Sequence, residues 1–302
     1  MPPFTVVGIG ELLWDLLPGG KQIGGAPANF AYIASVLGDR GVVASCIGAD
    51  SLGGEIRAKL ISLGLDTTFL QVDPARPTGT VNVQVDSKGQ PTFEIIEHVA
   101  WDYITWTPEW ESLARQVDAI YFGTLGQRYP QSVATTMDFV AAVPLRALKI
   151  FDANLRQTFF SQEVIAESIK LASIVKLNDA ELPRIMQILN LVYDDEKSSV
   201  ERLRRAYNLK LVCVTRGEKG SLLITEGASD EHPGFPISVV DTVGAGDAFT
   251  ATMVHHFLRG ASLPAINEAA NRMGAWVASH AGGTPPVNSD LLRNLPGSAG
   301  RG

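Results

Sequence analysis

The sequence predicts an α/β protein of three α/β/α layers, with a mostly parallel central sheet and a small β-sheet lid. Three observations predict it. Short runs rich in apolar and β-branched residues alternate with longer runs that are apolar at helical spacing, as in parallel strands joined by crossover helices. One region breaks the alternation with two strand-like segments and no helix between them. The chain has 302 residues, 45% hydrophobic and 19% charged, which suits an ordinary globular protein with one large core.

The elements follow in order. Residues 4–9 form a β-type run and predict a buried first strand. Residues 28–37 are apolar at helical spacing, and Pro27 suits a first helical turn. Residues 41–47 predict a second strand and residues 53–63 a helix. Residues 78–86 and 91–97 flank the glycine-containing turn Ser87-Lys88-Gly89-Gln90 and predict a β-hairpin. A hairpin has no place in a simple parallel repeat. With residues 15–22 it predicts a lid over a ligand, spanning about residues 12–24 and 76–104; the plainer alternative is an edge hairpin with no ligand role. Trp101, Tyr103, Trp106 and Trp110 follow as an aromatic cluster, whose commoner use is packing. Strand-like runs at 119–122, 147–151, 174–177, 211–215 and 221–225 are interleaved with helix-like runs at 132–142, 162–172, 180–189 and 198–207. Residues 237–240 read as a further strand leading into a helix over 248–258. One domain is expected over residues 1–295, and a flexible tail over 296–302.

Composition excludes several classes. The net charge of −7 argues against general nucleic-acid binding, which needs a basic face. Cys46 and Cys213 sit in apolar runs and read as buried thiols without zinc-type spacing. No apolar run reaches membrane-spanning length, and the first residues lack a signal peptide's basic start and apolar core. A cytoplasmic location is expected. His255 and His256 are adjacent on a helix and point apart; His98, His232 and His280 stand alone, and none reads as catalytic.

Two segments carry chemistry. The first is Asp241-Thr242-Val243-Gly244-Ala245-Gly246-Asp247. Its three small residues let backbone N–H groups approach an anion at a helix start, and an acid follows directly. An anion hole beside a carboxylate suits phosphoryl transfer, although a small-residue turn with a helix-start Asp is also common in purely structural roles. The segment is neither a P-loop nor a dinucleotide fingerprint. The second is Gly24-Gly25-Ala26-Pro27-Ala28-Asn29-Phe30-Ala31. Asn29 falls on the first turn of its helix and offers a donor and an acceptor to a hydroxylated ligand.

Together these segments resemble the two signatures of the ribokinase-like, or PfkB, sugar kinases. The resemblance runs from about residue 6 to 287. It extends to Phe151-Asp152-Ala153-Asn154-Leu155-Arg156, to Lys176-Leu177-Asn178-Asp179-Ala180-Glu181 and to Val214-Thr215-Arg216-Gly217-Glu218-Lys219-Gly220. It implies the ribokinase-like fold and ATP- and Mg2+-dependent phosphorylation of a primary hydroxyl on a small sugar. Asp247 is then the general base, and Gly244, Ala245 and Gly246 form the anion hole with the N–H of Asp247. Asp15 accepts sugar hydroxyls, Gly24, Gly25 and Asn29 form the sugar motif, and Phe93 of the hairpin touches the sugar. Glu11 is a weaker candidate that could instead orient its loop. Arg156 holds a phosphate or a substrate carboxylate. Lys176, Asn178 and Glu181 lie near the phosphates, with Glu181 reaching Mg2+ indirectly; alternatively Asn178 and Glu181 make a capping box. Thr215, Gly217 and Gly220 resemble the nucleotide loop, and Asn271 an adenine-side asparagine. Asp241, with carbonyls near Ala278, Ala281 and Gly283, resembles a K+ site.

Ala26 stands where ribokinase proper carries lysine, and Leu13 where it carries asparagine. Both departures count against ribose, while the Gly24-Gly25-Ala26-Pro27-Ala28-Asn29 form and the Gly10-Glu11 start resemble fructokinases and their relatives, with fructose to fructose 6-phosphate as the leading reaction. 2-Keto-3-deoxygluconate, a riboside or a nucleoside is the alternative substrate. From other classes, a non-catalytic sugar-binding regulator on the same fold and a metabolite-controlled interaction subunit are the rivals. The resemblance also implies a homodimer through the lid.

Overall fold

The alternation resolves into two sheets in the computed structural model, which describes residues 3–17, 19–85 and 91–296. The turn Ser87-Lys88-Gly89-Gln90, the Phe93 side chain and residues 297–302 of the expected tail lie outside the described residues. The chain runs β1 (Thr5–Ile9), β2 (Leu13–Leu17), β3 (Gly20–Gly24), α1 (Ala26–Val36), β4 (Arg40–Gly48), α2 (Ser51–Ser62), β5 (Leu70–Asp73), β6 (Gly79–Val85) and β7 (Pro91–Ile95). It continues through α3 (Pro108–Ala114), β8 (Ala119–Gly123), α4 (Pro130–Ala142), β9 (Leu148–Asp152), α5 (Gln162–Leu171), β10 (Ile174–Asn178), α6 (Glu181–Ile188) and α7 (Glu196–Ala206). The last elements are β11 (Leu211–Thr215), β12 (Ser221–Thr225), β13 (Ala228–His232), α8 (Ala245–Leu258), α9 (Leu263–Ala278) and α10 (Ser289–Arg293).

The large sheet has nine strands in the order β13-β12-β11-β10-β9-β8-β1-β4-β5. β5 through β11 pair in parallel, while β12 and β13 close the edge antiparallel. The chain leaves β1 toward β4 on one side and later returns with β8 on the other. That reversal leaves a crevice at the carboxyl ends of β1 and β8, where open α/β sheets bind ligands.

Successive side chains on each strand enter opposite faces. Val6 joins a core with Phe30, Ile33, Tyr121, Phe249 and Met253, beneath α1, α8 and α9. Val7 and Ile9 join a second core with Trp110, Phe122, Phe139 and Phe151. Each fully buried large apolar side chain contributes roughly 1.5–3 kcal/mol, so both faces hold their helices firmly.

The hairpin of β6 and β7 belongs to a separate four-stranded sheet ordered β3-β2-β6-β7. Asp15 lies on β2, opposite Gln22 of β3 and Val81 of β6. No described helix is long and apolar enough to cross a membrane.

One expected strand is absent. Residues 237–240 are irregular, and Val239 and Val240 are 58% and 63% exposed. The N–H of Val240 donates to the Ala278 carbonyl at the end of α9, not to a sheet partner. The edge is taken instead by the polar run Ala228–His232, whose strand character has no apolar signal.

Candidate active site

The small-residue loop and Asp247 occupy the start of α8. Gly244 is the N-cap, held left-handed at φ 75°. A side chain there would also collide with the backbone of Gly283, so this joint needs glycine twice over. The first N–H groups of a helix have no intrahelical acceptor. Among the described residues, no other acceptor meets those of Gly246 and Asp247. They form a ready donor pair for an anion, aided by the helix dipole.

Asp247 is buried. Asn29 donates Nδ2 to its Oδ2 at 2.9 Å, and the Tyr121 hydroxyl lies 3.1 Å from its Oδ1. Burial, then the nearby Asp152 charge, pushes its carboxyl up to about 6. Asn29 sits in the first turn of α1, and its Oδ1 is buried without a partner. An unpaired buried carbonyl is costly, so that oxygen could accept a hydroxyl.

Behind Asp247 stand groups from three adjacent strands. Tyr121 of β8 is 3.0 Å from Asp152 of β9. Lys176 of β10 is 3.2 Å from the same carboxylate. Burial works against the Lys176 charge, but Asp152, Glu181 and Asp247 together hold its pKa above the usual lysine value. Its Nζ faces Gly246, where an added Cβ would sit 3.1 Å away. The ammonium therefore borders the small-residue loop.

Glu181 and Asn178 bind each other's backbone. Asn178 Oδ1 accepts the Glu181 N–H, and Glu181 Oε2 accepts the Asn178 N–H, both at 2.8 Å. Glu181 Oε1 also accepts the Leu155 N–H at 2.8 Å. This is capping-box geometry, and it ties the ends of β9 and β10 together.

The sugar-motif residues gather across the crevice. A Cβ on Gly24 would come within 2.5 Å of Asp15 Oδ2, so the glycine lets that carboxylate lie against the strand. Burial, then Asp241, pushes the Asp15 carboxyl up to about 6. Gly25 caps α1 at φ 113°, and Glu11 Oε1 accepts the Ala26 N–H at 3.2 Å. Burial raises the Glu11 carboxyl to about 7. Arg156 is exposed on the loop after β9.

On the other flank, Thr215 Oγ1 donates to the Leu177 carbonyl at 3.3 Å, and Gly217 begins a tight turn at φ 58°. A side chain on Gly220 would strike the His232 carbonyl, so hairpin packing alone requires this glycine. The Asn271 amide is committed to Ser221 Oγ and the Asn267 carbonyl, each at 2.8 Å. Asp241 accepts the N–H groups of Val243 and Gly282, both at 3.0 Å.

Tyr121 and Asp152 were missed as site residues. Tyr121 looks like part of an apolar strand, and Asp152 like one letter of a motif. The available signal was a polar atom near the carboxyl end of a parallel strand, where ligands bind. Trp101 and Trp110 are fully buried and serve packing. His255 is buried against Asp39 at 2.7 Å, away from this cluster.

The pfkB family carbohydrate kinase model matches residues 19–290. A fructokinase of Vibrio alginolyticus is 28% identical, with 94% of this chain and 96% of that protein aligned. An uncharacterized sugar kinase of Pyrococcus horikoshii is 30% identical over 95% of this chain and 94% of its own. Its solved structure superposes with a TM-score of 0.81, covering 96% of this chain and 97% of that one; it has also been solved in complex with ATP. Aminoimidazole riboside kinase of Salmonella enterica, solved with aminoimidazole riboside and an ATP analog, is 26% identical. It superposes with a TM-score of 0.79, covering 96% of this chain and 99% of that one.

Proposed function

The chain belongs to the pfkB family of carbohydrate kinases and is a phosphotransferase acting on a sugar hydroxyl, and from that premise we propose that it transfers the γ-phosphate of ATP to fructose, giving fructose 6-phosphate. The observation that carries the reading is the buried Asp247 carboxylate beside the free N–H groups of its own helix start. An ionised Asp247 takes the proton of the attacking primary hydroxyl. The N–H groups of Gly246 and Asp247, with Lys176, hold the migrating phosphoryl charge. Asn29 Oδ1 and the Asp15 carboxylate accept sugar hydroxyls and aim the reacting one. The four-stranded sheet serves as lid and homodimer surface, within one domain over residues 1–295 of a cytoplasmic enzyme.

Fructose ranks first because fructokinases are similar to the chain over nearly its whole length, and because Ala26 and Leu13 replace the polar residues of ribokinase proper. ATP is the donor in keeping with the ATP-bound Pyrococcus structure. Thr215, Gly217 and Asn271 then flank the nucleotide. Magnesium would neutralise phosphate charge. Both Glu181 oxygens already accept backbone N–H groups, and no group of three His, Cys, Asp or Glu is placed to hold a metal among the described residues. Those donors fit an ion carried on phosphates and water, which Glu181 meets only through water. Each Asp241 oxygen accepts one N–H and keeps a lone pair, which fits a monovalent cation shared with loop carbonyls.

A riboside is the second reading, favoured by the full-length likeness to the Salmonella riboside kinase. An acidic sugar is the third, favoured by the exposed Arg156 at the crevice rim.

ADP release from ATP and Mg2+, measured with fructose, ribose, 2-keto-3-deoxygluconate, a riboside and adenosine, with and without K+, tests the reading. Fructose-dependent turnover that disappears in Asp247→Asn supports it. Preference for another panel member keeps the base and replaces the substrate. Ligand binding without turnover by any member favours the regulator.

A further inference from the structure

Asp247, Tyr121 and Asp152 form a continuous buried chain ending at Lys176. We propose that Tyr121 is a positioning residue that relays the proton taken from the sugar hydroxyl by Asp247 onward to Asp152. The inference rests on the sugar-kinase reading of Asp247 as base.

The Tyr121 hydroxyl carries one hydrogen. The Tyr121 hydroxyl lies 3.1 Å from Asp247 Oδ1 and 3.0 Å from Asp152 Oδ2, yet it has a single proton to donate. Whichever carboxylate does not receive it faces an oxygen lone pair. That contact is offset only if the carboxyl itself carries a proton or a cation holds it, as Lys176 holds Asp152. The triad therefore suits two arrangements. With Asp247 ionised, the Tyr121 O–H points to Asp247. With Asp247 protonated, Asp247 donates to Tyr121 and the Tyr121 O–H points to Asp152.

The transfer balances. The sugar O–H bond breaks as the new O–P bond forms, the bond from the γ-phosphorus to the bridging oxygen of ATP breaks with its electron pair leaving on ADP, and the hydroxyl proton goes to Asp247. The proton on Asp247 Oδ1 passes to Tyr121 Oη while the original Tyr121 proton passes to Asp152 Oδ2. Asp247 is again a carboxylate and Asp152 is neutral. Lys176 has lost its counter-charge, and its ammonium borders Gly246, where the phosphoryl negative charge is held. The proton returns by the same path to water once the product has left.

Neighbours fix this geometry. Phe30 stacks on the Tyr121 ring at 4.6 Å and 13°. The groups facing Asp247 are Asn29 from α1, Tyr121 from β8, Asp152 from β9, Lys176 from β10 and Glu11 from the loop after β1. The Tyr121 hydroxyl lowers the Asp247 pKa and the Asp152 charge raises it, so the two partners act in opposite directions.

The test compares Tyr121→Phe and Asp152→Asn with the parent protein. Phenylalanine keeps the stack on Phe30, and a thermal melt checks folding. Carbon-13 NMR of labelled Asp carboxyls in the ligand-free protein follows Asp247, assigned by its loss in Asp247→Asn. Loss of the donor in Tyr121→Phe raises the Asp247 midpoint by about one pH unit, whereas loss of the neighbouring charge in Asp152→Asn lowers it. Both variants lose about tenfold in kcat, because each interrupts the path. The sugar KM stays within about twofold, because Tyr121 is fully buried. An unmoved midpoint in Tyr121→Phe, or an unchanged kcat in Asp152→Asn, overturns the relay. If the parent turns over no sugar at all, the substrate reading has failed, and the midpoint alone decides the coupling through Tyr121.

Discussion

Asp247 sets stability against chemistry. Its folded-state pKa of about 6 stands above the ordinary 3.8, because the charged form is buried. A raised carboxyl favours the fold at low pH, and that contribution is lost as pH rises through the folded value. At pH 8 the ionised side chain therefore costs on the order of 2–3 kcal/mol. Asp247→Asn should remove that cost and still accept from Asn29. We expect its urea midpoint to exceed that of the parent at pH 8 and to match it at pH 4. Sugar phosphorylation should fall at least about a hundredfold. Equal midpoints at pH 8 would show that Asp247 is not charged against its surroundings. In the parent, kcat at saturating sugar should drop about tenfold per pH unit below about 6 as the proposed base is protonated.

The start of α8 shows how far an element's role can be read before its neighbours are known. Its glycines signal a tight, anion-accessible turn by local geometry alone, and the turn is there, with Gly244 at φ 75°. Its reliance on Gly283 was not legible, because that contact closes between segments far apart in sequence. Strand pairing hid Tyr121 and Asp152 in the same way. Tyr121 lies opposite Ile150, so Asp152 is its diagonal neighbour, and Lys176 is directly opposite Asp152. These contacts exist only once β8, β9 and β10 are side by side. The misread strand at 237–240 has the opposite cause: apolar residues there cross the end of α9 without a sheet to join. The same geometry separates two glycine substitutions. Gly244→Ala meets both backbone strain and Gly283, and we expect a loss of stability of about 1–3 kcal/mol. Gly246→Ala meets only the side-chain tip of Lys176 at 3.1 Å and no backbone, so the melting temperature should hold while kcat falls about tenfold or more. Thermal melts and ADP-release rates on both variants check this, and equal melting temperatures would contradict the close contact with Gly283.

At the scale of the molecule, the crevice joins groups with separate supports. Asp247 and its partners stand on α8 and the nine-stranded sheet, whereas Asp15 stands on the four-stranded sheet. The alternation of strands and helices made the large sheet legible, and the unbroken hairpin marked the small one. Neither pattern fixes how an acid on one sheet responds to the other. The structure supplies that answer through burial, which with the Asp241 charge raises Asp15 to about 6. In the proposed role, ionised Asp15 would accept bonds from two sugar hydroxyls, whereas protonated Asp15 has a donor of its own and less acceptor capacity. Sugar affinity should therefore weaken by up to about tenfold per pH unit below about 6, with protons released on binding near that pH. Calorimetry in two buffers of different ionisation enthalpy counts those protons directly. The limb should persist in Asp247→Asn, which removes the proposed base, and vanish in Asp15→Asn, which cannot titrate. If instead it vanishes in Asp247→Asn and survives in Asp15→Asn, the acid that senses the sugar belongs to the large sheet, and the small sheet contributes shape without charge.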